Sequence, residues 1–296
     1  MLDFRYHALS LVAVFLALAI GIVLGVTIGD SLLSDAERSL RSNLRSSVVD
    51  ARSDATKAKS QLAARDRLLD QIYPGMVRDR LRSERIALVS WGPLPGNVES
   101  NVRDAIHTAG GRIDSVSVFD TPLTTLKRAL GRESFSLLTA DDKSLSSLGG
   151  SLADGLAAGG RIGAKLRQEF PDDFAGRFSG ADAVVFYEAP KPNDSSDAQG
   201  VKERSDNRAQ AIESAMLAEL TNRTIAVVGV EAANADTSEI PRYESLKLSS
   251  VDSVDKSGGK IALVYALGGA QGNFGFKSTA KQPLPDEATS TTTTAP

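Results

Sequence analysis

The chain has 296 residues, 42% of them hydrophobic and 24% charged, enough to bury one sizeable core and leave residues over for an extended segment. A net charge of −3, with no unopposed block of Lys and Arg, provides no electrostatic footprint for a phosphate backbone, so no nucleic-acid partner is expected. The absence of Cys removes disulfides, thiolate nucleophiles and sulfur-rich metal sites together.

From Ala8 to Ile28 the sequence reads ALSLVAVFLALAIGIVLGVTI, uncharged throughout, with Ser10 and Thr27 its only polar side chains. A helix of about 20 such residues spans the hydrocarbon core of a bilayer, so the lipid bilayer is the first expected partner. A buried core helix is disfavoured because so long an uncharged stretch is apolar on every face. A cleaved signal peptide is disfavoured because the apolar run continues to Ile28, well past the small residues at Ala17 to Ala19. Arg5 and His7 precede the span, whereas Asp30, Asp35 and Glu37 follow it. The positive-inside rule then places the N-terminus in the cytoplasm and the remainder outside the cell membrane in a single pass. Gly21, Gly25 and Gly29 recur every fourth residue and offer a small-residue face for close helix packing in the membrane.

Between Asp30 and Tyr73 there is neither Gly nor Pro, so the membrane helix is expected to continue as a stalk and to end sharply at Pro74-Gly75. Leu40, Leu44, Val48, Ala51, Ala55, Ala58, Leu62, Leu69 and Ile72 follow three-four spacing with a stutter, the pattern of a coiled-coil seam, although Arg65 intrudes. Such a stalk serves as a homo-oligomer seam or partner-helix surface, or else as a solvated spacer reaching about 65 Å. Its mixed charges do not read as a basic lipid-binding helix.

The next residues alternate strand and helix. Arg85–Trp91 reads as a strand, Gly92 to Gly96 as a turn, Asn97–Thr108 as a helix and Arg112–Phe119 as a second strand, a β-α-β unit that predicts a parallel sheet. Ala183–Tyr187, Thr224–Val230 and Lys260–Leu267 read as further strands, with a helix over Asp206–Leu220. Leu126–Phe178 reads as a mostly helical insertion, Pro190–Asp206 as a polar loop and Ser278–Pro296 as a disordered, low-complexity tail. The expected fold is α/β: an anchor (1–29), a coiled-coil stalk (30–73), a small doubly wound, mainly parallel domain (84–277) and the tail (278–296).

No enzyme signature emerges. Gly92-Pro-Leu-Pro-Gly96 lacks dinucleotide spacing, and Gly268, Gly269, Gly272 and Gly275 are read as turn residues before an anion cradle. His107 lies in a helix without a nucleophile motif, and Asp141-Asp142 and Asp172-Asp173 sit in polar loops, so no catalytic residue is assigned. Copper favours Cys, Met and His, yet the chain has no Cys, His7 and His107 far apart, and only Met1, Met76 and Met216. No metal ligand, cofactor or cofactor-binding residue is expected.

The N-terminal FRYHALSLVAVFLALAIGIVLG, the stalk, Ser249 to Asp255 (SSVDSVD) and the following GGKIALVYALGGAQGNFGFK closely resemble the actinobacterial copper transporter (MctB-like) family. The resemblance covers nearly the whole chain and is weakest between Leu126 and Asp206. It implies a role in copper homeostasis or efflux at the cell envelope, where the family is described as an outer-membrane, channel-like export component. A single helix cannot form a pore alone, and the strands lack the alternating lipid-facing pattern of a transmembrane barrel. The resemblance also implies an alternative in cell division: a membrane-anchored scaffold pairs with a cytoplasmic partner and presents its extracytoplasmic coiled coil to a peptidoglycan hydrolase. Whether Asp252 and Asp255 do more than shape a strand-edge turn is open at this level.

Overall fold

In the computed structural model, residues 4–131, 141–190, 199–223, 225–235 and 237–289 are described. The chain divides into two units, residues 1–65 and 66–296. Helix α1 (Phe4–Val77) forms the first and ends within the second. Its segment His7–Leu24, with mean hydropathy 2.6, is long and apolar enough to cross a membrane. The helix does not stop at Pro74, which sits inside it. Proline disfavours helical geometry in the residue before it, but Tyr73 and Val77 are buried in the core of the second unit, and their burial holds the last turns in place.

The second unit is built on a seven-stranded sheet of order β3-β2-β1-β4-β5-β6-β7. Its strands are β1 (Arg85–Trp91), β2 (Arg112–Phe119), β3 (Phe174–Gly176), β4 (Ala183–Glu188), β5 (Ala226–Val230), β6 (Ser249–Val251) and β7 (Asn273–Phe274). All neighbours pair in parallel except β2 and β3. Alternate residues of each strand point to opposite faces. Ile86 and Leu88 join a core with α2 (Gly96–Thr108), whereas Ala87 and Val89 join the core beneath α3 (Pro122–Leu130), α4 (Asp142–Ala157), α5 (Arg161–Glu169), α6 (Gln199–Asn222) and α7 (Ile240–Ser245). The expected helical insertion is therefore part of the main core. It contributes the edge strand β3, and its residues 132–140 lie outside the described ones.

Two expectations about the C-terminal third are corrected. Lys260–Leu267 is not a strand but the body of α8 (Ser257–Leu267), which lies on the face of α2, and the strand expected there is the shorter β6 upstream. Every residue from Ile261 to Leu267 is buried, and a helix covered on all sides has the same continuous apolar run as a buried strand. Residues 278–289 belong to the fold: Gln282 bridges to Phe274, α9 (Asp286–Thr289) follows, and Leu284 and Ala288 pack on the core. Of the loop expected over Pro190–Asp206, the part from Gln199 is already helix α6, and 191–198 lie outside the described residues.

Close packing between α4 and α6 needs Gly149, where an added Cβ would lie 2.3 Å from the Ile212 carbonyl oxygen. Gly149→Leu is expected to lower stability by about 1–3 kcal/mol, the usual cost of overpacking, as read by chemical denaturation in detergent. Tyr73 supplies a second test. Among the described residues its hydroxyl is buried without a well-placed hydrogen-bond partner, and burial, opposed by nearby Thr108 and helped by the charge of Asp104, pushes its pKa up to about 12. The folded state keeps a proton that the unfolded chain releases near pH 10. Stability is thus intact below about pH 10 and falls toward pH 12, and Tyr73→Phe should flatten part of that fall in a melting-temperature series.

Candidate functional site

From β1 the chain turns through α2 to β2 on one side, while β4 continues through α6 to β5 on the other, so the carboxyl ends of β1 and β4 form the switch point of the sheet. In open α/β sheets ligands bind at this place. The two loops meet tightly: Gly92 has φ +106°, and a Cβ there would lie 2.5 Å from that of Ala189. Around them open a cleft of about 680 Å³ and two recesses of about 290 and 150 Å³ that share residues with it. Pro93, Pro122 and Ala189 line both the cleft and the smaller recess. Pro95, Tyr187 and Pro190 link the cleft to the larger recess.

Beneath the cleft lies a buried charge cluster. Glu188, at the end of β4, pairs through Oε2 with Nη1 of Arg242 on α7, and Nη2 of Arg242 lies 2.9 Å from Oε2 of Glu213 on α6. Glu188 and Glu213 are both buried. Burial opposes the charge of Arg242, but the close carboxylate of Glu213, with that of Glu188 adding to it, raises its pKa nonetheless. The hydroxyl of Tyr243 accepts a hydrogen bond from the Glu188 backbone N–H at 3.2 Å. Burial first, then the negative charges of Glu188 and Glu213, hold that phenol well above its ordinary pKa. The Tyr243 ring packs where Gly229 leaves room, since a Cβ there would lie 2.4 Å from it.

The neighbouring strand ends are tied together by three further carboxylates. Glu231 receives Lys277 Nζ at 2.8 Å, Ser238 Oγ at 2.9 Å and the Glu239 N–H at 2.8 Å. Asp252 accepts the N–H groups of Phe276 and Lys277, both at 2.8 Å, and Asp255 accepts that of Ala233 at 2.7 Å. The Asp252/Asp255 pair is thus a clasp that joins the loops after β5 and β6 to the segment after β7. Any side chain at Gly275 would strike the Asp252 carboxylate, 2.1 Å from the Cβ position.

Residues 1–285 match the family model of MctB, copper transport outer membrane protein. This chain belongs to the MctB family. Membership makes it a copper-transport-related membrane protein, in agreement with the family resemblance of its sequence. Among curated proteins, no sequence matches the chain significantly.

MctB membership does not rest on a visible metal centre, since no group of three or more His, Cys, Asp and Glu residues placed to hold a metal occurs among the described residues. His107 is exposed on α2, and Asp141 caps α4 by accepting the Ser144 N–H at 2.9 Å. Gly268 and Gly269 follow a helix, α8, and not a strand. Gly269 and Gly272 line a cavity of about 440 Å³ beside the first residues of β5 and β6, at the opposite edge from the switch point. Of the residues proposed for the stalk seam, Leu40, Leu44, Val48 and Leu62 are 61%, 58%, 49% and 58% exposed, Ile72 is exposed and Leu69 half-buried. Gly21, Gly25 and Gly29 lie within α1, and a Cβ at Gly21 would meet nothing within 4 Å.

The cluster of Glu188, Glu213 and Arg242 escaped the sequence reading. One signal for it exists: Glu213 stands between Ile212 and Met216 on the apolar face of α6, where an unpaired carboxylate would not be tolerated. Removing the cation should be costly. Arg242→Met is expected to destabilise the domain by about 3–5 kcal/mol, and adding Glu188→Gln and Glu213→Gln should recover much of it, as measured by denaturant titration of the single and triple variants.

Proposed function

We propose that this MctB-family protein serves copper homeostasis at the cell envelope as a tethered assembly component, with no high-affinity copper site and no catalytic centre of its own. The carrying observation is the row Leu40, Leu44, Val48 and Leu62, apolar, regularly spaced and exposed along the same continuous helix that holds the membrane-length segment. A helix in water gains by covering such a stripe with another helix. In this reading α1 crosses the cell membrane once with its N-terminus in the cytoplasm, and the Gly21, Gly25 and Gly29 face brings helices together within it. The seam, completed by Leu69 and Ile72, then joins a second copy or a partner helix as a coiled coil outside. The composition supports a role without copper coordination, since two His, three Met and no Cys leave few ligands that copper favours. The same exposed stripe favours a second reading, a scaffold that presents its coiled coil to a peptidoglycan hydrolase during cell division.

A deletion strain separates the two readings. Loss of the protein should raise cellular copper and sensitivity to copper stress, and the intact protein should restore both. A version carrying Asp at Leu40, Leu44, Val48 and Leu62 is expected to fail in complementation while still reaching the membrane. If copper content never changes while cell separation fails and only the intact stripe rescues it, the scaffold reading replaces the copper one. Full rescue by the Asp version would reduce the stripe to a spacer.

A further inference from the structure

The cleft at the switch point carries an inference independent of the reading of α1. Its walls are Pro93, Pro95, Pro122, Pro190 and Leu123, with Tyr187 beside them. Proline fixes its own φ and has no N–H, so these walls are stiff and poor in hydrogen-bond donors. Helix N-termini usually offer amides to anions at this edge of an α/β sheet. Here Pro95 is the N-cap residue of α2 and Pro122 opens α3, so each of these helix starts has one backbone N–H fewer.

The charged groups of the remaining surface are acidic, beside the hydroxyls of Thr121, Thr124 and Ser205. Among the described residues, neither the cleft nor its two recesses is lined by Lys, Arg or His, whereas Asp120 and Asp206 line the cleft and Glu239 the larger recess. The deeper carboxylates already have cations beneath them: Glu188 and Glu213 face Arg242, and Glu231 faces Lys277. Asp120 and Asp206 have no ion-pair partner among the described residues.

We propose that this cleft docks a Lys- or Arg-bearing segment of a partner polypeptide. Aliphatic side chains of the segment lie on the proline walls, and its cationic heads reach Asp120 and Asp206. A cleft of about 680 Å³ that continues into two recesses is larger than one side chain requires, which favours a segment of chain over a lone amine. Apolar walls supply the contact area, and the acidic rim selects the sign of charge and speeds encounter.

The test uses the full-length protein in nanodiscs and the peptide acetyl-Leu-Arg-Pro-Leu-Arg-Leu-amide, with twins carrying citrulline or Glu in place of Arg. Trp91, the one tryptophan of the chain, lines the smaller recess and reports occupancy by its emission. The Arg peptide should bind saturably, the citrulline twin about tenfold more weakly, and the Glu twin not at all. Asp120→Asn with Asp206→Asn should lower affinity for the Arg peptide about tenfold without changing the melting temperature, and Ala209→Arg should abolish binding. No saturable binding of the Arg peptide at millimolar concentration, equal binding of the Glu twin, or unchanged affinity in the double Asn variant would each overturn the proposal. Equal affinity for free arginine amide would also overturn it, by making the occupant a small organic cation.

Discussion

A parallel sheet has to be covered on both faces, and the second unit follows from that constraint. Strands that run the same way need crossover connections, and these lay helices on each side. The alternation of Ile86 and Leu88 with Ala87 and Val89 supplies both cores from the same strand. Once helices cover both faces, the chain has to change direction somewhere along the strand order. It does so between β1 and β4, and the cleft lies there because two loops leave that point in opposite directions.

The same constraint gathers polar groups at one edge. Strand β4 ends on a buried carboxylate, Glu188, and β5 and β6 are each followed directly by one, Glu231 and Asp252. Buried charge is tolerated only when it is paired or richly hydrogen-bonded, and each of the three meets that condition differently. Arg242 stands between Glu188 and Glu213, Lys277 and a backbone N–H serve Glu231, and two consecutive N–H groups serve Asp252. The segment after β7 is bound into the domain by these contacts, which is why residues beyond 277 belong to the fold. The cleft left at the switch point is lined by proline, small hydroxyl side chains and aspartate.

Helix α1 obeys different physics along its length. His7–Leu24 is uncharged and apolar enough to suit lipid, while Leu40, Leu44, Val48 and Leu62 further along are exposed apolar residues. At its end Tyr73 and Val77 are core residues of the α/β domain. MctB-family membership relates the whole chain to copper transport.

Local sequence determined the membrane-length segment, the uninterrupted helix that follows it, and the strands β1, β2, β4 and β5, because charge-free length and short β-rich runs bounded by turn residues are readable without neighbours. It did not determine where α1 ends, since the burial of Tyr73 and Val77 outweighs the effect of Pro74. Nor did it separate strand from helix in Lys260–Leu267, where burial on all sides erases periodicity, or reveal that Leu284 and Ala288 pack on the core. The grouping of Glu188, Glu213 and Arg242, with intervals of 25 and 29 positions between them, was decided only by tertiary structure. Charges so distant along the chain acquire a partner only when strand order and helix placement bring α6, α7 and β4 to one buried edge.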